Sequence, residues 1–158
     1  EQFNALGASA IALPFGELYT SLQTGVVDGE ENPLDTIKNM KFYEVQDYVV
    51  ISDHGAMEDV VLFNPMFWDS LPAEYQDVIS TAFSEVIPDL TAHKAAAVEE
   101  ALQVITDSGT NVRVASAEER AELHDATWGP ASEAYVAKAG ETGEALLKAY
   151  DEATAASQ

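Results

Sequence analysis

Cysteine is absent from the 158 residues, and positive charge is scarce. Without cysteine, neither a disulfide framework nor a thiolate metal site can form. Seven Lys and Arg stand against 28 Asp and Glu, which gives a formal net charge of -21 at pH 7. Because no basic patch occurs, the chain should repel nucleic acid and anionic lipid, and neither is predicted as a partner. The acids are spread along the sequence, which favours a surface adapted to salt over an acidic docking patch.

Long apolar runs are also lacking. No stretch of about 18 apolar residues occurs, so no transmembrane helix is predicted. The sequence has neither a signal-peptide pattern nor an initiator Met. It begins at Glu1-Gln2-Phe3, in what reads as the middle of a helix, and we therefore expect a fragment or a processed product. With 47% hydrophobic residues, the chain can nevertheless bury a core.

Apolar spacing predicts strands that alternate with helices in the first half and mostly helices in the second. The predicted strands cover residues 9–15, 26–31, 48–52, 59–64 and 111–115. Among the predicted helices of the first half, one ends at Gly7, the next ends at Gly25, and a third begins near Asn32. This order predicts an α/β fold.

A single apolar stripe of period 3.6 runs from Tyr75 to Ile105 and predicts one long helix. Pro88 lies inside this stripe. Because proline removes one N–H and clashes with the carbonyl one turn earlier, a kink is predicted at Ser84–Pro88.

The remaining helices are predicted from their end signals. Ser116 and Glu119 have the spacing of a capping box, which would open a helix. Gly129-Pro130 is predicted to break that helix, and Leu146, Leu147 and Tyr150 mark a last amphipathic helix.

The enzyme motifs that we sought do not occur. The sequence has no nucleophile elbow and no Gly-rich phosphate loop. His54, His93 and His124 are far apart and lack metal-ligand spacing. The acids of residues 28–31 could hold a hard cation, but the turn lacks the ligand pattern of a calcium loop. No catalytic residue, metal or cofactor is therefore predicted.

The turn DGEENP, residues 28–33, places an uncharged Asn32 directly after three acids. Asn32, Pro33 and Asp35 are predicted to start a helix, with Asn32 as its cap. Asp would cap equally well, but only Asn adds an N–H donor, which can face an anion. Asn32 therefore hints at an anionic ligand, while a purely structural cap remains the alternative.

Residues 13–54, together with the start of the long helix, resemble the solute receptors of TRAP transporters, the DctP family of periplasmic binding proteins. The matching motifs are Gly16-Glu17, Tyr19, Leu22-Gln23, Gly25, Val27-Asp28-Gly29, Glu31-Asn32-Pro33, Lys41-Phe42-Tyr43-Glu44-Val45-Gln46, and Leu71, Pro72, Glu74 and Gln76. Ser21 and Glu30 depart from the Ala and Gln that are usual there.

The resemblance implies part of a type II-like receptor, in which two α/β lobes close on an organic acid and a long kinked helix braces both. Residues 1–70 are then expected to belong to the second, C-terminal lobe. Residues 71–108 would form the inter-lobe helix, and residues 109–158 a strand and C-terminal helices that pack back on the lobes.

The resemblance also implies site residues. Asn32 matches an Asn that donates to the ligand's carboxylate, and Phe15 matches an aromatic position that packs on the ligand body. Glu31 and His54 match positions near the pocket.

The family's clamp arginine has no counterpart in the chain, because Arg113 and Arg120 lie in the wrong region. A bidentate Arg–carboxylate pair is the strongest contact such a site makes. We therefore expect the chain to be the C-terminal half of a receptor and to bind poorly alone.

The function implied is an extracytoplasmic, periplasmic receptor that delivers a carboxylate to a TRAP membrane permease without chemistry. The alternatives are an α/β enzyme of unknown type and a non-binding structural fragment. The long apolar stripe predicts self-association, or a partner chain that supplies the absent N-terminal half. The sequence leaves the identity of the organic acid open.

Overall fold

The computed structural model of the chain describes residues 1–57 and 59–155. In chain order its elements are α1 (Gln2–Ala5), a 3-10 helix (Phe15–Glu17), α2 (Leu18–Gln23), α3 (Leu34–Asn39), a second 3-10 helix (Phe42–Glu44), β1 (Tyr48–Ile51), α4 (Pro65–Ser70), α5 (Ala73–Asp107), β2 (Asn111–Val114) and α6 (Ala117–Ala155). Residues 156–158, the end of the predicted segment 109–158, lie outside the described residues. Within the described part, no helix has the length and hydrophobicity that a membrane crossing requires.

The chain divides into two compact units, each assembled from segments that are distant in sequence. Unit 1 contains Glu1–Pro14, Ser52–His54 and Val114–Gln158, and unit 2 contains Phe15–Ile51 and Gly55–Arg113. In unit 1, α1 packs against α6.

Unit 2 has a small core to which α2, α3, the second 3-10 helix, β1 and α5 each contribute. The buried members of this core are Leu22, Ile37, Phe42, Val49 and Ile105. Phe42 and Ile105 have no exposed surface. The C-terminal end of the predicted apolar stripe is therefore where α5 enters the core.

β1 and β2 form a two-stranded sheet. The Asn111 N–H donates to the Asp47 carbonyl at 3.0 Å, so the two strands begin side by side. These strands confirm the predictions for residues 48–52 and 111–115.

The strands predicted at residues 9–15, 26–31 and 59–64 are wrong, because these segments lie in loops, turns and the start of a 3-10 helix. A strand needs a neighbour that accepts and donates its backbone hydrogen bonds. The sheet described here has two strands only, and neither pairs with these segments.

Several predicted helix ends are confirmed. Gly7 and Gly25 follow α1 and α2 with φ of 85° and 70°, which glycine adopts without strain. The capping box is also present: the Ser116 N–H donates to Glu119 Oε2 at 2.7 Å, and the Glu119 N–H donates to Ser116 Oγ at 3.1 Å.

The break predicted at Gly129-Pro130 is wrong, because α6 continues through both residues. Pro130 removes one N–H, but helix-forming residues on both sides, many of them Ala, maintain the helix. The interruption falls instead at Gly140, with φ 61° and ψ -147°. Pro88 likewise lies inside α5, and a change of helix direction at Ser84–Pro88 stays a prediction.

Candidate ligand-binding site

The structure corrects the role predicted for Asn32 as a helix cap. Pro33 is the N-cap of α3, with φ -59° and ψ 147°, and no side chain caps this helix. Asn32 therefore lies one residue too early to cap. Asn64-Pro65, the second Asn-Pro pair, does start a helix, α4, where Asn64 Oδ1 accepts from the Met66 N–H at 2.9 Å.

The Asn32 side chain is instead oriented by a neighbour in its own turn. Its Nδ2 donates to Glu30 Oε2 at 2.6 Å. Both side chains are partly buried, whereas Glu31 is exposed. A carboxamide nitrogen has two N–H groups, so one can be held by Glu30 while the other is directed at a ligand.

The environment of Glu30 disfavours its negative charge. Burial raises the pKa of the Glu30 carboxyl, and the nearby Glu31 charge raises it further, while the hydrogen bond from Asn32 lowers it. Burial has the largest effect, since removal from water penalises the ionised form. The partly buried carboxyl of Glu30 thus lies next to the Asn32 amide, which is predicted from the sequence to face a ligand.

Two ion pairs join α3 to α5 and hold the helix that follows this turn. Lys94 Nζ contacts Asp35 Oδ2 at 2.5 Å, and Lys38 Nζ contacts Glu100 Oε1 at 2.8 Å. Ile37 is buried between these pairs on α3. The turn that carries Asn32 is consequently continuous with a well-anchored helix.

Phe15 lies at the start of the first 3-10 helix with half of its surface exposed, at 50%. Its ring contacts the buried Phe42 ring edge-on, with centroids 6.0 Å apart. The buried ring fixes the inner side of Phe15 and leaves the outer side available for apolar contact. Phe15, Glu31 and Asn32 all belong to unit 2.

His54 belongs to unit 1 and makes its described contacts there. Its Nδ1 shares a hydrogen bond of 2.7 Å with Ser52 Oγ, and its ring packs edge-on against Phe3 at 5.4 Å. The neighbouring Asp53 is paired with Arg120 at 2.8 Å. Arg120 is thus engaged in an ion pair within unit 1.

The sequence did not indicate a cavity in unit 2, which has a volume of about 730 Å³. β1, β2 and the last turns of α5 line it, with the polar side chains Gln103, Thr106, Thr110, Asn111 and Arg113. Its lining includes none of the residues predicted from the sequence to contact a ligand. Among the described residues, no group of three or more His, Asp or Glu is placed to hold a metal ion.

Solved structures that share this fold are periplasmic solute-binding proteins of TRAP transporters. One, from Desulfovibrio salexigens with bound orotic acid, is 58% identical with a TM-score of 0.91, over 96% of this chain and 49% of that chain. Another, from Sulfurospirillum deleyianum with bound succinate, is 31% identical with a TM-score of 0.77, over 94% of this chain and 49% of that chain. The predicted fold class, α/β as part of a two-lobe periplasmic binding protein, is confirmed.

The chain belongs to the DctP family of bacterial extracellular solute-binding proteins, family 7, whose sequence profile matches residues 1–137. The C4-dicarboxylate-binding periplasmic protein DctP of Rhodobacter capsulatus is 40% identical over 121 residues, which are 76% of this chain and 36% of that protein. The chain thus spans about half the length of the structures and about a third of this relative. The resemblance noted in residues 13–54 is confirmed.

Proposed function

We propose that this chain forms the C-terminal half of a periplasmic receptor that binds an organic acid and delivers it to a TRAP membrane permease. The observation that carries the proposal is the 58% identity and TM-score of 0.91 with a TRAP receptor that holds orotic acid. Other similar proteins are described as binding succinate, galactonate and C4-dicarboxylates. These ligands share a carboxylate, which suits a neutral N–H donor such as that of Asn32.

Asn32 is the proposed donor to the ligand's carboxylate, and Phe15 the proposed apolar contact with the ligand body. Glu31 and His54 are proposed to lie near the ligand pocket of the receptor, which is not the cavity described in unit 2. The exposed half of Phe15 and the second N–H of Asn32 support these roles, because both groups are held on one side by an internal partner. Binding without turnover is proposed, so an acid recovered from the receptor should be chemically unchanged.

Exposed apolar segments support the view that the chain is about half of a larger fold. The loop at residues 59–64 is rich in β-branched and aliphatic residues, yet Val60 and Leu62 are 74% and 83% exposed. Ile11, in the segment 9–15 that was also predicted as a strand, is 59% exposed. Such segments are typical of strands that a neighbouring strand covers.

α5 supports the same view. Apolar side chains along its first half and middle are exposed, including Tyr75, Val78, Val86, Ile87 and Leu90. Exposed apolar area of this extent usually marks an interface. We propose that the other half of the receptor covers it and that α5 braces both lobes, as expected for residues 71–108. The chain alone should then self-associate in sedimentation, and a compact monomer with cooperative unfolding would contradict this.

A chimera tests the binding function directly. The half of the Desulfovibrio salexigens receptor that this chain does not match would be joined to the chain, and calorimetry would measure binding of orotate, succinate, galactonate and ectoine. We expect one acid to bind with Kd in the micromolar range or tighter, that is about -8 kcal/mol or better. A matched variant, Asn32→Asp, replaces a donor by a charge and should weaken binding at least about tenfold. A folded chimera that binds none of the acids would refute the proposal.

A further inference from the structure

Glu30 is placed where its charge must affect anything that binds at Asn32. The two side chains share a hydrogen bond of 2.6 Å from Asn32 Nδ2 to Glu30 Oε2. The two hydrogens of an amide nitrogen diverge, so two acceptors on that nitrogen lie about 5 Å apart. A ligand carboxylate on the second N–H would therefore face the Glu30 carboxylate at that distance in a partly buried site.

Two anions at such a separation interact strongly where water is partly excluded. The repulsion between the ligand carboxylate and the Glu30 carboxylate has two possible outcomes. Either the ligand binds weakly while Glu30 stays ionised, or Glu30 takes up a proton and the repulsion disappears. Uptake leaves the hydrogen bond intact, because the carbonyl oxygen of a protonated carboxyl still accepts from the Asn32 N–H.

We propose that Glu30 is a specificity-determining residue of this site and that an anionic ligand binds at Asn32 together with one proton from solvent, which is held on the Glu30 carboxyl. The inference rests on the proposed function, since it requires an acid at Asn32. The ligand stays an anion throughout, and the one proton that leaves solvent ends on Glu30. Ionised Glu30 thus opposes an anion at Asn32, and protonation of Glu30 removes that opposition.

The surroundings of Glu30 favour this uptake before any ligand arrives. Burial and the adjacent Glu31 charge both raise the pKa of Glu30, and the Asn32 hydrogen bond is the opposing influence. Glu31 is the charged group that acts on Glu30 in the described structure, and it has the same sign as a bound acid. A ligand carboxylate therefore adds to a trend that already favours the protonated form.

The first test needs no ligand. Carbon-detected NMR of the chain would follow the Glu30 carboxyl and the Asn32 side-chain amide across a pH titration. Both signals should move with one midpoint, above the usual glutamate pKa of about 4.3. If the Asn32 amide signal did not change as Glu30 titrates, the hydrogen bond would be absent and the inference would be overturned.

The second test uses the chimera with orotate, whose carboxylate stays ionised between about pH 5 and pH 8. Between the pKa of Glu30 in the free receptor and its higher pKa in the complex, Kd should rise about tenfold per pH unit, and calorimetry in buffers of different ionisation enthalpy should give close to one proton taken up per orotate. Glu30→Gln keeps an acceptor for Asn32 but cannot titrate, so its Kd should be independent of pH and its proton uptake zero. The matched control Asp28→Asn removes an exposed charge from the same turn and should keep the parent's pH slope.

The outcomes separate the inference from the proposed function. If orotate binds but the parent and Glu30→Gln have the same pH slope, Glu30 is not the proton acceptor, although the receptor function stands. If the parent, Asp28→Asn and Glu30→Gln all melt cooperatively but bind none of the acids tested, the proposed function fails and the inference with it.

Discussion

Lys94→Met should destabilise unit 2 by removing the cation that holds Asp35 on α3. The Asp35 side chain is 18% exposed and the Lys94 side chain is 53% exposed, so the pair is partly shielded from water. Fully exposed pairs contribute about 0.2–1 kcal/mol, whereas hydrogen bonds to charged groups contribute about 1.5–3 kcal/mol. The intermediate exposure places the expected loss at about 1–1.5 kcal/mol in the free energy of unfolding.

The pH dependence gives a second readout of the same pair. The hydrogen bond from Lys94 is the main cause that lowers the pKa of Asp35 below its usual value, and burial opposes it. A depressed carboxyl pKa stabilises the fold above the unfolded pKa, near pH 4. This stabilisation is lost as the pH falls through the folded pKa. Lys94→Met should therefore flatten the stability curve below about pH 4 and lower it above.

Urea unfolding at neutral and acid pH measures both effects. Lys148→Met is the matched control, because Lys148 and Glu152 are 4.0 Å apart and 78% and 71% exposed, and it should change stability by less than about 0.5 kcal/mol. A double-mutant cycle with Asp35→Asn isolates the pair. If Lys94→Met were no more costly than Lys148→Met, or left the acid dependence unchanged, the pair would not anchor α3.

Three further predictions concern the core, a helix start and the net charge. Ile105→Ala removes a fully buried side chain and should lower the free energy of unfolding by about 3 kcal/mol, as measured with urea. The control Val78→Ala changes an exposed side chain and should cost at least about 2 kcal/mol less, and equal costs would contradict the assignment of Ile105 to the core. Ser116→Ala removes the hydroxyl that caps α6 and should cost about 1 kcal/mol, whereas Ser116→Thr should keep most of that stability; no loss in Ser116→Ala would show that the hydroxyl does not stabilise α6. With a net charge of -21, the chain should melt at a higher temperature in about 0.15 M than in about 0.01 M salt, and a flat or falling Tm would reject the salt-adapted surface.

The two Asn-Pro pairs show where local sequence is sufficient and where it fails. Asn64, the last residue of a segment predicted as a strand, caps α4, whereas Asn32, the predicted cap, does not cap α3, which has Pro33 as its N-cap. The same dipeptide therefore has two roles. The two side chains have different partners: Asn32 donates to the Glu30 carboxylate, whereas Asn64 accepts from the first N–H groups of α4.

Features that depend on neighbouring residues or on a long periodic stripe could be predicted from the sequence. The helix ends at Gly7 and Gly25 and the capping box of Ser116 and Glu119 follow from local backbone and hydrogen-bond chemistry. The long helix follows from its apolar period, and family membership from the motifs of residues 13–54. Each of these signals lies within one continuous segment of the chain.

Which apolar runs become strands, and which side chains come into contact, depends on the folded chain as a whole. Residues 9–15 and 59–64 carry strand-like side chains, but a strand forms only where a second strand completes its hydrogen bonds. The contacts of Lys94 with Asp35 and of Phe15 with Phe42 join residues far apart in sequence, which no local pattern specifies. The raised pKa of Glu30 is likewise a property of burial, which the folded chain sets and the sequence does not state.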